Sequence, residues 1–298
     1  MEGEPKKEMY DLLPPNLYPA TCNVLPNEDF SMLQQRLVQS QIIYPFIVKP
    51  EVGSQGILLR KIDNEAALSQ YHSHMPWEYI AQNLVTYPME VSIFYIRHPN
   101  SDKGKITGFL HKIPLQVVGD GEQTLSSLIE QHSKGAGRVV ELFNKHKDNW
   151  DTILPVGEKY MLSYAANHNR GARFIDLKDH IDNQLVAIFD EISIGINDFF
   201  YGRYDIMCSN VADFKAGKNF TILEYNGCGA EPNHFYDTGY TLLGAYGEIL
   251  KHWKALYEIS KYNRLQGIAP WPFMKGNQFM KSAREHIVEM KKTDEAMG

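Results

Sequence analysis

The alternation of apolar and polar positions near the middle of the chain predicts two β-strands. Residues 220–225 are rich in β-branched and aromatic types, which favour strands. Residues 201–207 also alternate between the two faces that a strand presents. A polar, glycine-containing stretch at 213–219 lies between them and predicts a turn. We therefore expect an antiparallel hairpin with a long connection.

Charged and amide side chains share one face of this predicted hairpin. Alternate residues of a strand point to the same side, so Arg203 and Asp205 share a face. The same rule places Glu224 and Asn226 about 7 Å apart on one side of the second strand. In the simplest register all four converge, and such a set suits a divalent cation together with nucleotide phosphates. A strand that merely ends in a polar turn is the alternative.

A second candidate for phosphate binding lies nearer the N-terminus. Residues 44–49 read as a buried strand and residues 57–62 as the returning strand. Between them, residues 51–56 form a short loop with two glycines, whose backbone amides can face a phosphate. Lys49 at the strand end supplies a cation beside that loop. An ordinary turn is the alternative interpretation.

The remaining pattern predicts a mixture of helices and further strands. Apolar residues recur at helical spacing in several segments, namely 28–41, 64–74, 139–150, 181–200 and 238–262, and a charged helix is predicted at 279–292. Runs with strand character lie at 77–85, 89–97, 106–118 and 159–166. The prolines within residues 1–30 exclude a long helix there.

Composition limits the classes of function. The chain has 298 residues and a formal net charge of −6, so it lacks the basic field that nucleic-acid binding needs. The cysteines, Cys22, Cys208 and Cys228, form no Cys-x-x-Cys motif, which argues against a disulfide framework or a structural zinc site and favours a reducing cytoplasm. No apolar run could span a bilayer, and the charged first residues do not resemble a signal peptide. We expect neither nucleic acid nor a membrane as a partner.

The order of these parts resembles the ATP-grasp superfamily, and within it the D-alanine–D-alanine ligase and cyanophycin synthetase branch. The resemblance extends over residues 6–262. Residues 203–205 (Arg-Tyr-Asp) are similar to the family's Arg-x-Asp motif, and residues 223–226 (Leu-Glu-Tyr-Asn) to its Glu-x-Asn motif. Residues 117–121 (Val-Val-Gly-Asp-Gly) are similar to a signature of the cyanophycin synthetase branch.

This resemblance implies an α+β ATP-grasp fold. Two lobes, each with an antiparallel sheet flanked by helices, would bind the nucleotide between them. The expected division is an N-terminal lobe at 1–85, which carries the lid loop and the adenine hinge, and a C-terminal lobe at 86–262, which carries the metal site. Residues 263–298 would form a peripheral tail.

The resemblance also implies roles for particular residues. Asp205, Glu224 and Asn226 match the magnesium ligands of the family, and Arg203 matches the arginine that steadies the γ-phosphoryl group and the tetrahedral intermediate. The implied nucleotide-binding residues are Lys6 as the lysine that precedes the first lobe, Lys49 at the phosphates and the adenine, Gly53, Ser54 and Gly56 in the lid, Gln82, Leu84 and Val85 in the adenine hinge, and Glu90 at the ribose.

A third polar segment, residues 167–173, is expected to face a ligand. It holds two arginines, a histidine and two asparagines around a glycine, and such a set has no role in an apolar core. Our hypothesis is that Arg170 contacts the γ-phosphate or a substrate carboxylate and that His168 orients the incoming group. A plain surface loop is the alternative.

The function implied by the resemblance is an ATP-dependent carboxylate–amine ligase with ATP and Mg²⁺ as cofactors. It would act through an acyl phosphate on small, amino-acid-like carboxylate and amine substrates. A small-molecule kinase and a non-catalytic nucleotide-binding module are the alternatives. Because almost nothing precedes the first lobe, a homodimer and a separate chain that supplies a substrate domain both stay open.

Overall fold

The computed structural model describes residues 5–196 and 199–297. Its helices are α1 (Lys6–Leu12), α2 (Phe30–Gln39), α3 (Glu65–His74), α4 (Leu125–Gln131), α5 (Val139–His146), α6 (Asn183–Gly195), α7 (Val211–Lys215), α8 (Leu242–Leu265) and α9 (Phe273–Met297). Its strands are β1 (Thr21–Val24), β2 (Phe46–Pro50), β3 (Arg60–Ile62), β4 (Tyr79–Asn83), β5 (Met89–Arg97), β6 (Gly104–Ile113), β7 (Gln116–Val118), β8 (Lys159–Met161), β9 (Arg173–Asp176), β10 (Tyr201–Cys208) and β11 (Phe220–Asn226).

The strands form two main antiparallel sheets. The first sheet has the order β1-β4-β2-β3, and the second has the order β11-β10-β5-β6-β9. Strands β7 and β8 make a separate two-stranded sheet. Helices cover both main sheets, so the predicted α+β class with antiparallel sheets is confirmed.

Alternation along the strands explains how helices cover the second sheet. Val91, Ile93 and Tyr95 of β5 face a core that includes residues of α6. Phe94 and Ile96 point to the other face, where they pack in a smaller cluster with residues of α8. Helix α8 covers only one end of that face, which leaves the other end open for a ligand.

Several connections differ from the sequence prediction for local physical reasons. The strand predicted at 106–118 is divided into β6 and β7 because Pro114 lies between them and cannot donate a ladder hydrogen bond. The turn predicted at 213–219 overlaps α7, whose first turn is capped by the Asn210 side chain accepting from the Asp213 amide. The helix predicted at 181–200 is observed as α6, and residues 197–198 lie outside the described part of the chain.

Helix α9 is more than a peripheral tail. Met290 is fully buried in the core of the first sheet. Asp294 is also buried, and its Oδ1 atom accepts a hydrogen bond of 3.1 Å from the Leu58 amide and lies 2.8 Å from Arg60 Nη1. These contacts contradict the expectation of a peripheral segment at 263–298, because sequence periodicity does not tell which surface an amphipathic helix covers.

We expect Met290→Ala to lower the free energy of unfolding by about 2–5 kcal/mol, since a buried methionine would leave a cavity. Chemical denaturation checks this loss. The matched control is Met274→Ala in the same helix, where the side chain is 74% exposed and the change should be nearly silent. Equal, small effects of both substitutions would show that α9 does not support the first sheet.

Candidate active site

A cavity of about 370 Å³ lies between the two main sheets. Residues from both sheets line it, together with the loops that follow β2, β8 and β11. Of the side chains singled out in the sequence, those at the cavity are Lys49, Gly53, Ser54, Gly56, Glu90, His168, Arg203, Asp205, Glu224 and Asn226. Most of the candidate residues therefore share one space.

The expected metal ligands meet through the pairing of β10 with β11. Asp205 lies opposite Glu224, and Arg203 lies opposite Asn226. The Glu224 side chain makes no hydrogen bond with another described residue, although it borders the cavity. The buried Asp205 Oδ1 atom makes no hydrogen bond of good geometry within the described chain, although the Lys112 ammonium lies 3.2 Å from it. Carboxylate and amide oxygens are the donors that Mg²⁺ prefers, so the residues present fit this ion.

Lys112 is a site residue that the sequence interpretation missed. It lies opposite Glu90 in the β5–β6 pair, with its Nζ atom 2.6 Å from Glu90 Oε1 and 3.2 Å from Asp205 Oδ1. Burial alone would lower the pKa of Lys112, but the two carboxylates outweigh burial and raise that pKa. In turn, Lys112 and Arg203 overcome the effect of burial and lower the pKa of Asp205. The lysine is therefore a permanent cation in the cavity wall.

Two further lysines approach from the first lobe. Lys49 on β2 is buried, and its Nζ atom lies 3.4 Å from both the Tyr10 hydroxyl and the Leu223 carbonyl. Lys6 on α1 is also buried and donates a hydrogen bond of 3.2 Å to the Glu51 carbonyl. Burial lowers the pKa of each lysine, with Glu224 opposing the effect. Neither forms an ion pair with another described residue, so an anion such as a phosphate would complete their surroundings.

The expected lid loop follows β2 and touches the second lobe. Gly56 has a φ of +70°, in the left-handed region that favours glycine. A Cβ atom at this position would lie only 2.4 Å from the Ala165 Cβ atom. Close approach of the lid to the opposite wall of the cavity therefore requires a glycine here.

No family model matches the chain. The chain is similar to cyanophycin synthetase of Synechocystis sp., with 23% identity over 209 residues that cover 61% of this chain and 23% of that protein. It is also similar to the glutathione biosynthesis bifunctional protein GshAB of Clostridium perfringens, with 25% identity over 138 residues that cover 41% of this chain and 18% of the relative. A solved structure with a similar backbone is D-cycloserine synthetase DcsG, with a TM-score of 0.48, 15% identity, and coverage of 85% of this chain and 69% of that one.

The chain spans about a quarter or less of the length of the two curated relatives that it matches. Within the described residues, no helix is long and apolar enough to cross a membrane.

Some residues expected at the nucleotide lie away from the cavity. Gln82 is buried in β4, where its Nε2 atom donates hydrogen bonds of 2.8 Å to the Tyr10 hydroxyl and the Thr21 Oγ1 atom. Leu84 and Val85 follow β4 without lining the cavity. The adenine hinge thus stays a sequence-based prediction, and Gln82 acts in the structure as a support for Tyr10.

The loop at 167–173 brings one of its two candidate residues to the cavity. His168 lines the cavity, stacks on Tyr236 with ring centroids 4.9 Å apart, and lies 3.5 Å from the Asp237 carboxylate. Arg170 points away from the cavity. Its guanidinium donates to the Gln55 carbonyl in the lid at 3.0 Å and to Glu141 Oε1 at 2.6 Å.

The structure therefore corrects the expected contact between Arg170 and a phosphate. The third partner of its guanidinium is Asp294 in α9, at 3.6 Å. Three acceptors on three different segments already use the donors of this side chain, and a sequence pattern does not contain these long-range partners. Arg170 instead ties the lid to the rest of the protein.

We expect Arg170→Ala to weaken nucleotide binding by about tenfold, because the lid would lose a charged hydrogen bond that holds it near the cavity. Titration calorimetry with a nucleotide checks this change. The control is Arg173→Ala, an exposed arginine of the same loop that makes no contact with the lid. Unchanged affinity in Arg170→Ala, or equal losses in both variants, would contradict the lid contact.

Proposed function

We propose that this chain is an ATP-dependent carboxylate–amine ligase that acts through an acyl phosphate and releases ADP and phosphate. The observation that carries the proposal is the cavity wall formed by Asp205, Glu224 and Asn226, whose oxygens face the same space as several cations. Hard-cation ligands beside lysines and an arginine are typical of sites for a magnesium-bound polyphosphate. The cyanophycin and glutathione enzymes that the chain resembles support a reaction that forms an amide.

In this proposal, Asp205, Glu224 and Asn226 would hold Mg²⁺, which neutralises phosphate charge during phosphoryl transfer. Lys6 and Lys49 would bind the phosphates, because both are buried cations without a carboxylate partner in the described chain. The glycine-rich lid would cover the nucleotide and exclude water, so that the activated substrate is not hydrolysed.

The reaction proceeds in two displacements. A free carboxylate is a poor electrophile and must first be activated. A substrate carboxylate oxygen therefore attacks the γ-phosphorus, and ADP leaves. The amine then attacks the acyl carbon, phosphate leaves with the bonding electrons, and the nitrogen releases a proton. The role of Arg203 is to stabilise the oxyanion of the tetrahedral intermediate, since its Nε atom is buried without a hydrogen-bond partner in the described chain. No enzyme nucleophile is required.

Binding of the nucleotide is the first test of this assignment. We expect titration calorimetry with a non-hydrolysable ATP analogue to show saturable binding that depends on Mg²⁺, because the free carboxylates at the cavity repel a bare polyphosphate. Binding that is unaffected by Mg²⁺, or no binding at millimolar nucleotide, would contradict the proposal.

The reaction class is tested by measuring phosphate release with panels of carboxylic acids, amines and alcohols. A ligase requires both an acid and an amine before ADP and phosphate form in equal amounts. ADP formation with an alcohol alone, and a phosphorylated product, would instead identify a kinase. Nucleotide binding without any turnover in the panels would favour the non-catalytic module.

A further inference from the structure

Two histidines and a glutamate that the proposed reaction does not use lie together beside helix α8. His234 belongs to the loop that connects β11 to α8, and Glu248 and His252 lie one helical turn apart on α8 itself. They pack on the face of the second sheet that carries the cavity, near Tyr201 of β10 and Gly108 of β6. Among the described residues they form a group of side chains that could hold a metal ion.

Burial makes this cluster unusual. His234 is 4% exposed and His252 is 1% exposed. Both ring nitrogens of His234 and the Nε2 atom of His252 lack a hydrogen bond within the described chain. A buried polar atom left without a partner destabilises the folded state, so three of them in one place require an explanation. Glu248 does not supply it, since its nearest contacts to the rings lie in ion-pair range without hydrogen-bond geometry.

The distances fit a small coordinated cation. Glu248 Oε1 lies 3.4 Å from His234 Nε2 and 3.7 Å from His252 Nε2, and one ligand atom from each residue falls within 4.8 Å of the others. In a tetrahedral zinc site with bonds of about 2.0–2.2 Å, neighbouring ligand atoms are roughly 3.3–3.5 Å apart. Both carboxylate–nitrogen distances are therefore close to this geometry, and the two ring nitrogens, which lie within 4.8 Å of each other, would move closer together when an ion binds.

The surroundings of His252 also match those of a metal ligand. Its Nδ1 atom lies 3.1 Å from the Tyr201 hydroxyl. The rings of Phe94 and His252 are nearly perpendicular, with their centroids 4.6 Å apart. A hydrogen bond at one ring nitrogen fixes the orientation in which the other nitrogen points at the metal.

We propose that His234, Glu248 and His252 bind one divalent transition-metal ion, with zinc as the preferred ion. Two imidazoles and one carboxylate favour zinc over magnesium, which prefers oxygen ligands. A water molecule would complete a tetrahedral set. This site is distinct from the oxygen-rich wall formed by Asp205 and Glu224.

The ion would fasten the cavity loop, residues 227–241, to helix α8. Asn233 and Tyr236 of this loop line the cavity on either side of the buried His234. Asn233 also donates a hydrogen bond of 3.3 Å to Ser92 on β5. Metal binding at His234 would thus set the position of a wall of the active site without taking part in the reaction. The sequence argument against a structural zinc site rested on cysteines, and this set contains none.

The test compares zinc binding by matched glutamate variants of the full chain. Protein stripped with a chelator is titrated with zinc, separated from free ion by gel filtration, and analysed for bound metal. We expect about one ion per chain in the wild type and in Glu224→Gln, and loss of that ion in Glu248→Gln. Zinc should also raise the Tm of the first two proteins and leave the Tm of Glu248→Gln unchanged.

Other outcomes would overturn the site. Retention of zinc by Glu248→Gln together with loss in Glu224→Gln would assign the ion to the nucleotide cavity. Absence of tight zinc binding by the wild type would mean that the cluster is purely a packing feature, whatever happens in the variants. His72→Gln controls for damage to a buried histidine, because both ring nitrogens of His72 are hydrogen-bonded, at 3.0 and 2.9 Å; it should keep the ion.

Discussion

Glu224→Gln is expected to lower turnover on the order of a hundredfold or more, while the free energy of unfolding changes little. The substitution keeps the volume of the side chain and removes one negative charge from the cavity wall that would face the transferred phosphoryl group in the proposed reaction. Loss of a group that stabilises charge in the transition state typically has an effect of this size. Stability should be retained because Glu224 makes no hydrogen bond with another described side chain. Steady-state kinetics and thermal denaturation measure the two quantities.

The comparison for Glu224→Gln is Glu258→Gln, a partly exposed glutamate on α8 outside the cavity. Its rate should equal that of the wild type. A near-normal rate in Glu224→Gln would mean that this carboxylate only ends a strand. A large fall in Tm together with the fall in rate would instead identify Glu224 as a structural acid.

Lys112→Met is expected to destabilise the protein by about 3–5 kcal/mol, because it would leave buried carboxylates without their cation. Glu90 and Asp205 both lie within ion-pair distance of the Lys112 Nζ atom. For a domain of this size the loss corresponds to a fall in Tm of roughly 6–20 °C. Lys105→Met, an exposed lysine on the same strand, is the control and should leave the Tm unchanged.

A double substitution separates the charge effect from loss of packing. Glu90→Gln removes one of the two stranded carboxylates, so Lys112→Met combined with Glu90→Gln should recover part of the lost stability. Additive losses in the double variant would refute the ion-pair account of Lys112. Turnover should be low in Lys112→Met and in the double variant, since Lys112 also lines the cavity.

Features set by neighbours in sequence were the ones that could be predicted. Although the connection between β10 and β11 is long, the two strands are consecutive, so the alternation of Arg203 with Asp205 and of Glu224 with Asn226 leads directly to a shared face. The lid glycines are also local, because they lie between two consecutive strands of one sheet. In both cases the strand period and the turn residues carry the information.

Features set by distant partners could not be predicted in this way. Lys112 reaches the cavity through a strand register that shifts between Phe94 and Tyr95, and a single-residue slip would turn its side chain to the other face. The direction of Arg170 depends on Glu141 and on Asp294 in the last helix. No local pattern encodes such contacts.

The hydrogen bond from the Leu58 amide to Asp294 joins positions 236 residues apart in the chain. Because Leu58 lies two residues after the lid glycine Gly56, this hydrogen bond connects the end of the lid to helix α9. Random mutagenesis that selects for altered nucleotide affinity should therefore recover substitutions in the last turns of α9, although these residues lie outside the cavity. A genetic screen or a directed-evolution library that varied only the residues around the cavity would therefore miss substitutions in α9 that change nucleotide affinity.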